Sequence, residues 1–184
     1  MSTKMKILTL GALAIGLTSI AGADTKKIDP TKMTCAEFVA LETGVKPEVI
    51  AYLEGYSEGG KGRRPAVVAV PAVAEVTYVE RVCAETPKES VWQKIRSKLP
   101  GGEKKVSDPT KMTCEEYVAL DKEIQPQVAN WLQGYTEAGK SEKSGTAGAG
   151  TIEPVVLERD VVSVVAECGE APKKSLWDKI KEKF

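Results

Sequence analysis

The residues with the most reactive side chains are four cysteines, Cys35, Cys83, Cys114 and Cys168. A thiolate can ligate a metal, attack a carbonyl or join a disulfide, and its neighbours decide which. The chain has no histidine, which removes Ser–His and Cys–His activation, imidazole metal ligation and the one side chain that titrates near neutrality when unperturbed. No C-x-x-C pair occurs, so a four-Cys zinc site would have to assemble from distant parts of the chain. Neither a metal nor a cofactor is expected. There is no G-x-S-x-G, no Walker loop and no dinucleotide-binding glycine motif. Carboxylates such as Glu115 and Glu116 are adjacent, and neighbours on a helix point in different directions, which suits a solvated face better than acid–base work. No enzymatic activity is expected. Basic pairs such as Arg63-Arg64 and Lys173-Lys174 are too short for a nucleic-acid patch, and 26 Lys+Arg against 26 Asp+Glu leaves no net positive field for one. Any response to pH must come from carboxylates.

The elements that place these groups begin after a leader. Lys4 and Lys6 form a positive start, Ile7 to Leu17 an apolar stretch, and Ala21-Gly22-Ala23 an A-x-A cleavage site. Residues 1–23 therefore read as a secretory signal, too short in its apolar part for a membrane anchor. Removal of the two lysines leaves 24 basic and 26 acidic groups, a net charge of −2. No later segment is apolar over a bilayer's span, so no membrane association is expected after cleavage.

The rest of the chain is written twice. Asp29-Pro30-Thr31-Lys32-Met33-Thr34-Cys35 recurs unchanged from Asp108 to Cys114, and the same offset relates Pro47 to Pro126 and Gly55-Tyr56 to Gly134-Tyr135. A second offset, six residues larger, relates Cys83 to Cys168, Ser90 to Ser175 and Trp92-x-Lys94-Ile95 to Trp177-x-Lys179-Ile180. The extra residues fall in the Gly/Ser/Ala stretch from Gly139 to Gly150, which reads as a flexible loop. A repeat this long indicates two tandem domains, 24–99 and 108–184, joined by a linker at 100–107 that opens with Pro100-Gly101-Gly102. Two cysteines per repeat in a secreted chain read as two disulfides. Of three connectivities, Cys35 with Cys83 and Cys114 with Cys168 respects the duplication.

Each repeat reads as all-α, a small bundle of four short helices. Thr34 with Glu37, and Thr113 with Glu116, are capping boxes that place each first cysteine in the opening turn of a helix. Pro47 and Pro126 suit the first turn of a second helix that ends at Gly55 or Gly134. A third helix carries Val76, Val79 and Cys83, or Val161, Val164, Val165 and Cys168, at helical spacing. Ser90 or Ser175 caps the fourth, whose stripe is Trp92, Ile95 and Leu99, or Trp177, Ile180 and Phe184. Core packing explains most of these residues. It does not explain Ala66 to Ala74, an almost wholly apolar run containing Val67, Val68, Val70 and Val73 without a clean helical period. Its counterpart holds Val155, Val156 and Leu157, then Val161 and Val162. Such segments are expected either to pair the domains or to receive another chain.

The order and spacing of Met-Thr-Cys-x-Glu-Phe/Tyr, a Pro-initiated second helix, a Val/Ala-rich segment before the second Cys and a terminal Trp-x-Lys-Ile helix resembles the HdeA/HdeB family of periplasmic acid-stress chaperones. The resemblance spans Asp29 to Leu99 and again Asp108 to Phe184. It implies small four-helix proteins with one disulfide, dimeric and inactive at neutral pH, that loosen in acid and hold unfolded clients without ATP. On this resemblance the partners are acid-unfolded periplasmic proteins, the client surface is Val67, Val68, Val70, Val73 and Val76 with Val155, Val156, Leu157, Val161 and Val162, and Glu37 and Glu116, at an acidic position of the family pattern, are the candidate pH-responsive carboxylates. The duplication departs from it, so the family's dimer is expected here as an intramolecular pair or as a homodimer of duplicated chains. Composition agrees with acid activation: full protonation of the carboxylates near pH 2 would take the net charge from −2 to about +24. A constitutively folded secreted interaction or inhibitor module is the alternative expectation.

Overall fold

The computed structural model describes residues 29–62, 67–70, 73–96, 104–144 and 154–183. The leader at 1–23, Leu99 and Phe184 lie outside the described residues. Repeat one contains α1 (Cys35–Val39), α2 (Lys46–Gly59), β1 (Val67–Val70), α3 (Val73–Glu85) and α4 (Val91–Arg96). After β2 (Lys104–Ser107), repeat two contains α5 (Cys114–Val118), α6 (Gln125–Ser144), α7 (Pro154–Glu170) and α8 (Leu176–Lys183). Each repeat is thus a four-helix unit, and each is closed by its own disulfide, Cys35–Cys83 or Cys114–Cys168.

Local chemistry sets the helix starts. Thr34 Oγ1 accepts from the Glu37 N–H at 3.3 Å while Glu37 Oε2 accepts from the Thr34 N–H at 2.9 Å. Thr113 and Glu116 repeat the exchange at 3.3 and 2.8 Å. Helix starts leave backbone donors free, and here the segment before the last helix supplies acceptors. Cys35 N–H donates to Glu89 O at 2.8 Å and Ala36 N–H to Pro87 O at 2.9 Å, matched by Cys114 to Lys174 O and Glu115 to Pro172 O. First and last helices are thereby tied at one end of each repeat. Pro47 and Pro126 lie in the first turns of α2 and α6, where a missing N–H costs nothing.

The core of repeat one gathers Phe38, Ile50, Leu53, Val79, Val91 and Ile95 around its disulfide. Repeat two gathers Tyr117, Val128, Leu132, Val164, Leu176 and Ile180. An aromatic ladder recurs in both. Tyr56 stacks near Tyr52 and meets Trp92 edge-on at 5.6 Å, and Tyr135 stacks on Trp131 and meets Trp177 edge-on at 5.8 Å. The repeats meet along α2 and α6.

Four expectations are corrected. The second helices do not end at Gly55 and Gly134 but continue to Gly59 and Ser144. Helix α6 therefore takes in Gly139 to Ser144 of the stretch expected to be a loop, while Gly145 to Gly150 lie outside the described residues. The linker and the apolar run of repeat one form an antiparallel pair, with Val67 opposite Ser107 and Val70 opposite Lys104. Pro71 explains why this run is extended where its counterpart is helical: proline disfavours the α region for the residue before it, here Val70, whereas Pro154 begins α7, a position proline tolerates. Ser175 Oγ accepts from the Asp178 N–H at 3.3 Å as expected of a cap, but Ser90 Oγ is buried with no partner among the described residues.

Candidate functional site

The four cysteines are fully buried, and their Cα atoms lie 4.7 Å apart in each pair. Each pair joins the first helix of a repeat to its third. Among the described residues no cysteine is free and no cluster of His, Cys, Asp and Glu is arranged to hold a metal. No helix of the described residues is long and apolar enough to cross a membrane.

The apolar segments divide into covered and open parts. Val76 is buried in the core of repeat one, and Val161 packs half-buried on that of repeat two. Val73 and Val162 stand out, 83% and 69% exposed. Val67, Val68 and Val70 lie in β1, and Val155, Val156 and Leu157 in the first turn of α7; the side chains of these six lie outside the described residues. Val39 and Val118, counterparts at the ends of α1 and α5, are each 40% exposed. Exposed valines scattered singly in this way are ordinary on a protein surface.

A larger apolar surface is covered by the seam between the repeats. Gly55 of α2 approaches α6 so closely that a Cβ there would lie 1.9 Å from Trp131 O, and a Cβ on Gly134 of α6 would lie 2.1 Å from Tyr52 O. Glycine is required at both positions because backbone, not a movable side chain, occupies the space. Sequence reasoning placed these glycines at helix ends. The spacing Gly55/Gly59 and Gly134/Ala138, small residues one turn apart on one face, was the available signal for close helix packing. Ala51 of α2 reaches into the core of repeat two beside Trp131, and Val106 of β2 enters the same core.

Three carboxylates of repeat two are held below the ordinary range. Hydrogen bonds from the Thr113 backbone and hydroxyl lower Glu116. Glu167 is lowered by Lys183 and Ser163, which donate to it, with Lys179 close by. Asp178 is lowered chiefly by the Lys181 ammonium, 2.6 Å away. Glu37 makes the same capping box as Glu116. One carboxyl moves the other way. Burial of Glu54 on α2, then the nearby charges of Glu75 and Glu58, push it up to about 8, so it is mostly a neutral acid at pH 7. Glu75 itself is only 2% exposed. Nothing in the sequence pattern marked Glu54, since its counterpart is Gln133 and its surroundings, Glu75 of α3 among them, are assembled only in the fold.

The class of protein is therefore a tandem pair of small helical repeats, each with one disulfide and the two packed along their second helices. The family model for the HdeA/HdeB family matches the chain twice, at residues 5–93 and 100–178, and the chain belongs to that family. Curated relatives carry the name probable acid stress chaperone HdeA. The protein from Brucella suis biovar 1 is 32% identical over 53% of this chain and 90% of its own length. That from Brucella ovis is 33% identical over 49% of this chain and 87% of its own. The Brucella abortus (strain 2308) protein is 32% identical over 41% and 67%. No solved structure matches the chain.

Proposed function

We propose that the chain is an acid-stress chaperone of the periplasm, which binds acid-unfolded proteins and keeps them from aggregating without using ATP. The observation that carries this reading is that both halves match the HdeA/HdeB family, whose relatives here are named as acid stress chaperones. On this reading residues 1–23 are a cleaved leader, residues 24–99 and 108–184 are the two domains, and the α2–α6 pair stands in for a two-chain dimer.

Three carboxylates of repeat two support activation by acid, while Glu54, raised in the fold, acts in the opposite direction. Glu116, Glu167 and Asp178 have depressed values in the fold. Their stabilising contribution is present above the unfolded pKa and is withdrawn as pH falls through the folded one. Rising positive charge acts in the same direction and keeps a client complex soluble. Loosening would release the apolar faces of α2 and α6 and the segments holding Val67, Val68, Val70 and Val73 in repeat one and Val155, Val156, Leu157, Val161 and Val162 in repeat two. Client contact would then be non-directional burial of apolar area.

The test follows light scattering of an acid-labile client between pH 2 and pH 7, with and without the chain, alongside binding of a hydrophobic dye and with no nucleotide present. Protection and dye binding should rise together below about pH 4, the range set by ordinary carboxylate values. A chain that gains neither in acid is instead a constitutively folded interaction module. Replacing Val67, Val68, Val70 and Val73 with Ser should weaken protection at pH 2 while leaving the fold at pH 7. Full protection by that folded variant removes the segment from the client surface.

A further inference from the structure

The α2–α6 seam is nearly twofold symmetric, since each residue of α2 has a counterpart 79 positions later on α6 and the contacts are reciprocal. Gly55 faces Trp131, and Gly134, the counterpart of Gly55, faces Tyr52, the counterpart of Trp131. Gly59 and Ala138 are each other's counterparts and also face each other: a methyl on Gly59 would lie 2.9 Å from Ala138 Cβ and 2.5 Å from Tyr135 O. A position that meets its own counterpart lies on the symmetry axis. That axis holds one methyl group, on the buried Ala138, and has no space for a second.

Ala51 and Asn130 form another unequal pair. Ala51 joins the apolar core of repeat two. Asn130 is 1% exposed, donates to Pro126 O on its own helix, and keeps an Oδ1 with no partner among the described residues.

We infer that the seam is selective: repeat two fits repeat one and does not fit a second copy of itself. Pairing two copies of repeat two would set Ala138 against Ala138, with carbon atoms well inside their ~3.5–4.0 Å optimum. It would also put Asn130 where Ala51 now packs, burying an amide among apolar side chains without compensation. Two copies of repeat one would set Gly59 against Gly59, which creates no clash but loses the methyl contact. The partner that α6 accepts is a helix of this same fold carrying glycine at both places of Gly55-x-x-x-Gly59, from its own chain or from another. This inference rests on the α2–α6 pairing adopted under the proposed function.

The experiment compares Gly59→Ala, Ala138→Gly and the double variant in the full chain at pH 7, by thermal unfolding and small-angle scattering. In open space Gly→Ala in a helix would raise Tm by about 2–4 °C through propensity. The selective seam reverses the sign. G59A should lower Tm by about 3–10 °C, as overpacking does, and expand the chain. The double variant removes the methyl contact with position 138 but leaves the 2.5 Å approach to Tyr135 O, so it should recover part of the loss in Tm and radius without reaching the wild-type values. G59A that is stabilised with unchanged scattering overturns the inference, as does a double variant no better than G59A. Should G59A fail to fold, Ala138→Gly alone, which removes the one methyl and adds no atom, should still fold with the repeats paired, and loss of folding there too overturns the inference. A wild-type mass that doubles with concentration sinks the intramolecular reading instead, and the sign of the G59A effect then still decides selectivity.

Discussion

Glu54→Gln is a nearly isosteric change at a single half-buried carboxyl, and repeat two already carries glutamine at the counterpart, Gln133. In the fold Glu54 stays protonated up to about pH 8, whereas in the unfolded chain it ionises at its ordinary 4.5. Between those values the folded state binds the extra proton, so stability falls as pH rises, by about 1.4 kcal/mol for each pH unit. At pH 7 the wild-type fold should therefore be weaker, through this one group, by about 3 kcal/mol relative to a neutral side chain of the same shape. The favourable term is fully present below about pH 4.5 and is lost as pH rises through about 8, opposite in sign to that of Glu116. Urea unfolding at pH 4, 5, 6, 7 and 8 measures it. E54Q should exceed the wild type most at pH 7 to 8 and match it near pH 4. A difference that does not change with pH, or an E54Q chain less stable at pH 7, would refute the reasoning.

Glu116→Gln should lower stability at pH 6 to 7 and have no effect near pH 2, where the wild-type carboxyl is protonated too; urea titration at both pH values checks this. Reduction and alkylation of the cysteines opens loops of 48 and 54 residues, each link contributing about 4 kcal/mol in the chain-entropy model, so recovery after an acid pulse should fall, as followed by circular dichroism on neutralisation. Gly134→Ala drives a methyl into Tyr52 O and should part α2 from α6, seen as a red shift of tryptophan emission as Trp131 leaves its buried site. Dilution at pH 7 should leave the wild-type chain compact and monomeric by light scattering, because a short linker holds the repeats at a millimolar effective concentration.

The parts of this molecule that were legible in sequence are those written in local or doubled form. Thr34-x-x-Glu37 and Thr113-x-x-Glu116 state their capping boxes within four residues, and duplication singles out one cysteine connectivity. Gly55 and Gly134 were misread because their reason lies on the other repeat: a glycine that ends a helix and one that admits a neighbouring backbone look alike until the neighbour is in place. Strand β1 was hidden for the same reason, since its ladder partner is the linker. Glu54 looks like any surface glutamate of an amphipathic helix, and only tertiary packing, which desolvates it and brings Glu75 of α3 near, makes it a neutral acid. The client surface was named from apolar composition, and the fold divides that list into Val76, enclosed in the core, and Val73 and Val162, open to solvent.

The two disulfides join cysteines that are consecutive along the chain, first with second and third with fourth. During synthesis the chain enters an oxidising compartment N-terminus first, on the proposed reading, so Cys35 has only Cys83 to meet until repeat two arrives. The first bond can close, and its repeat can bury it, before Cys114 offers a competing thiol. Exchange needs a thiolate to reach a disulfide sulfur, and a bond already enclosed among Phe38, Ile50 and Val79 offers no sulfur to an incoming thiolate. The order of emergence thus selects the native pairing without any need to undo a wrong one, and an interleaved arrangement of the same four cysteines would not have that protection.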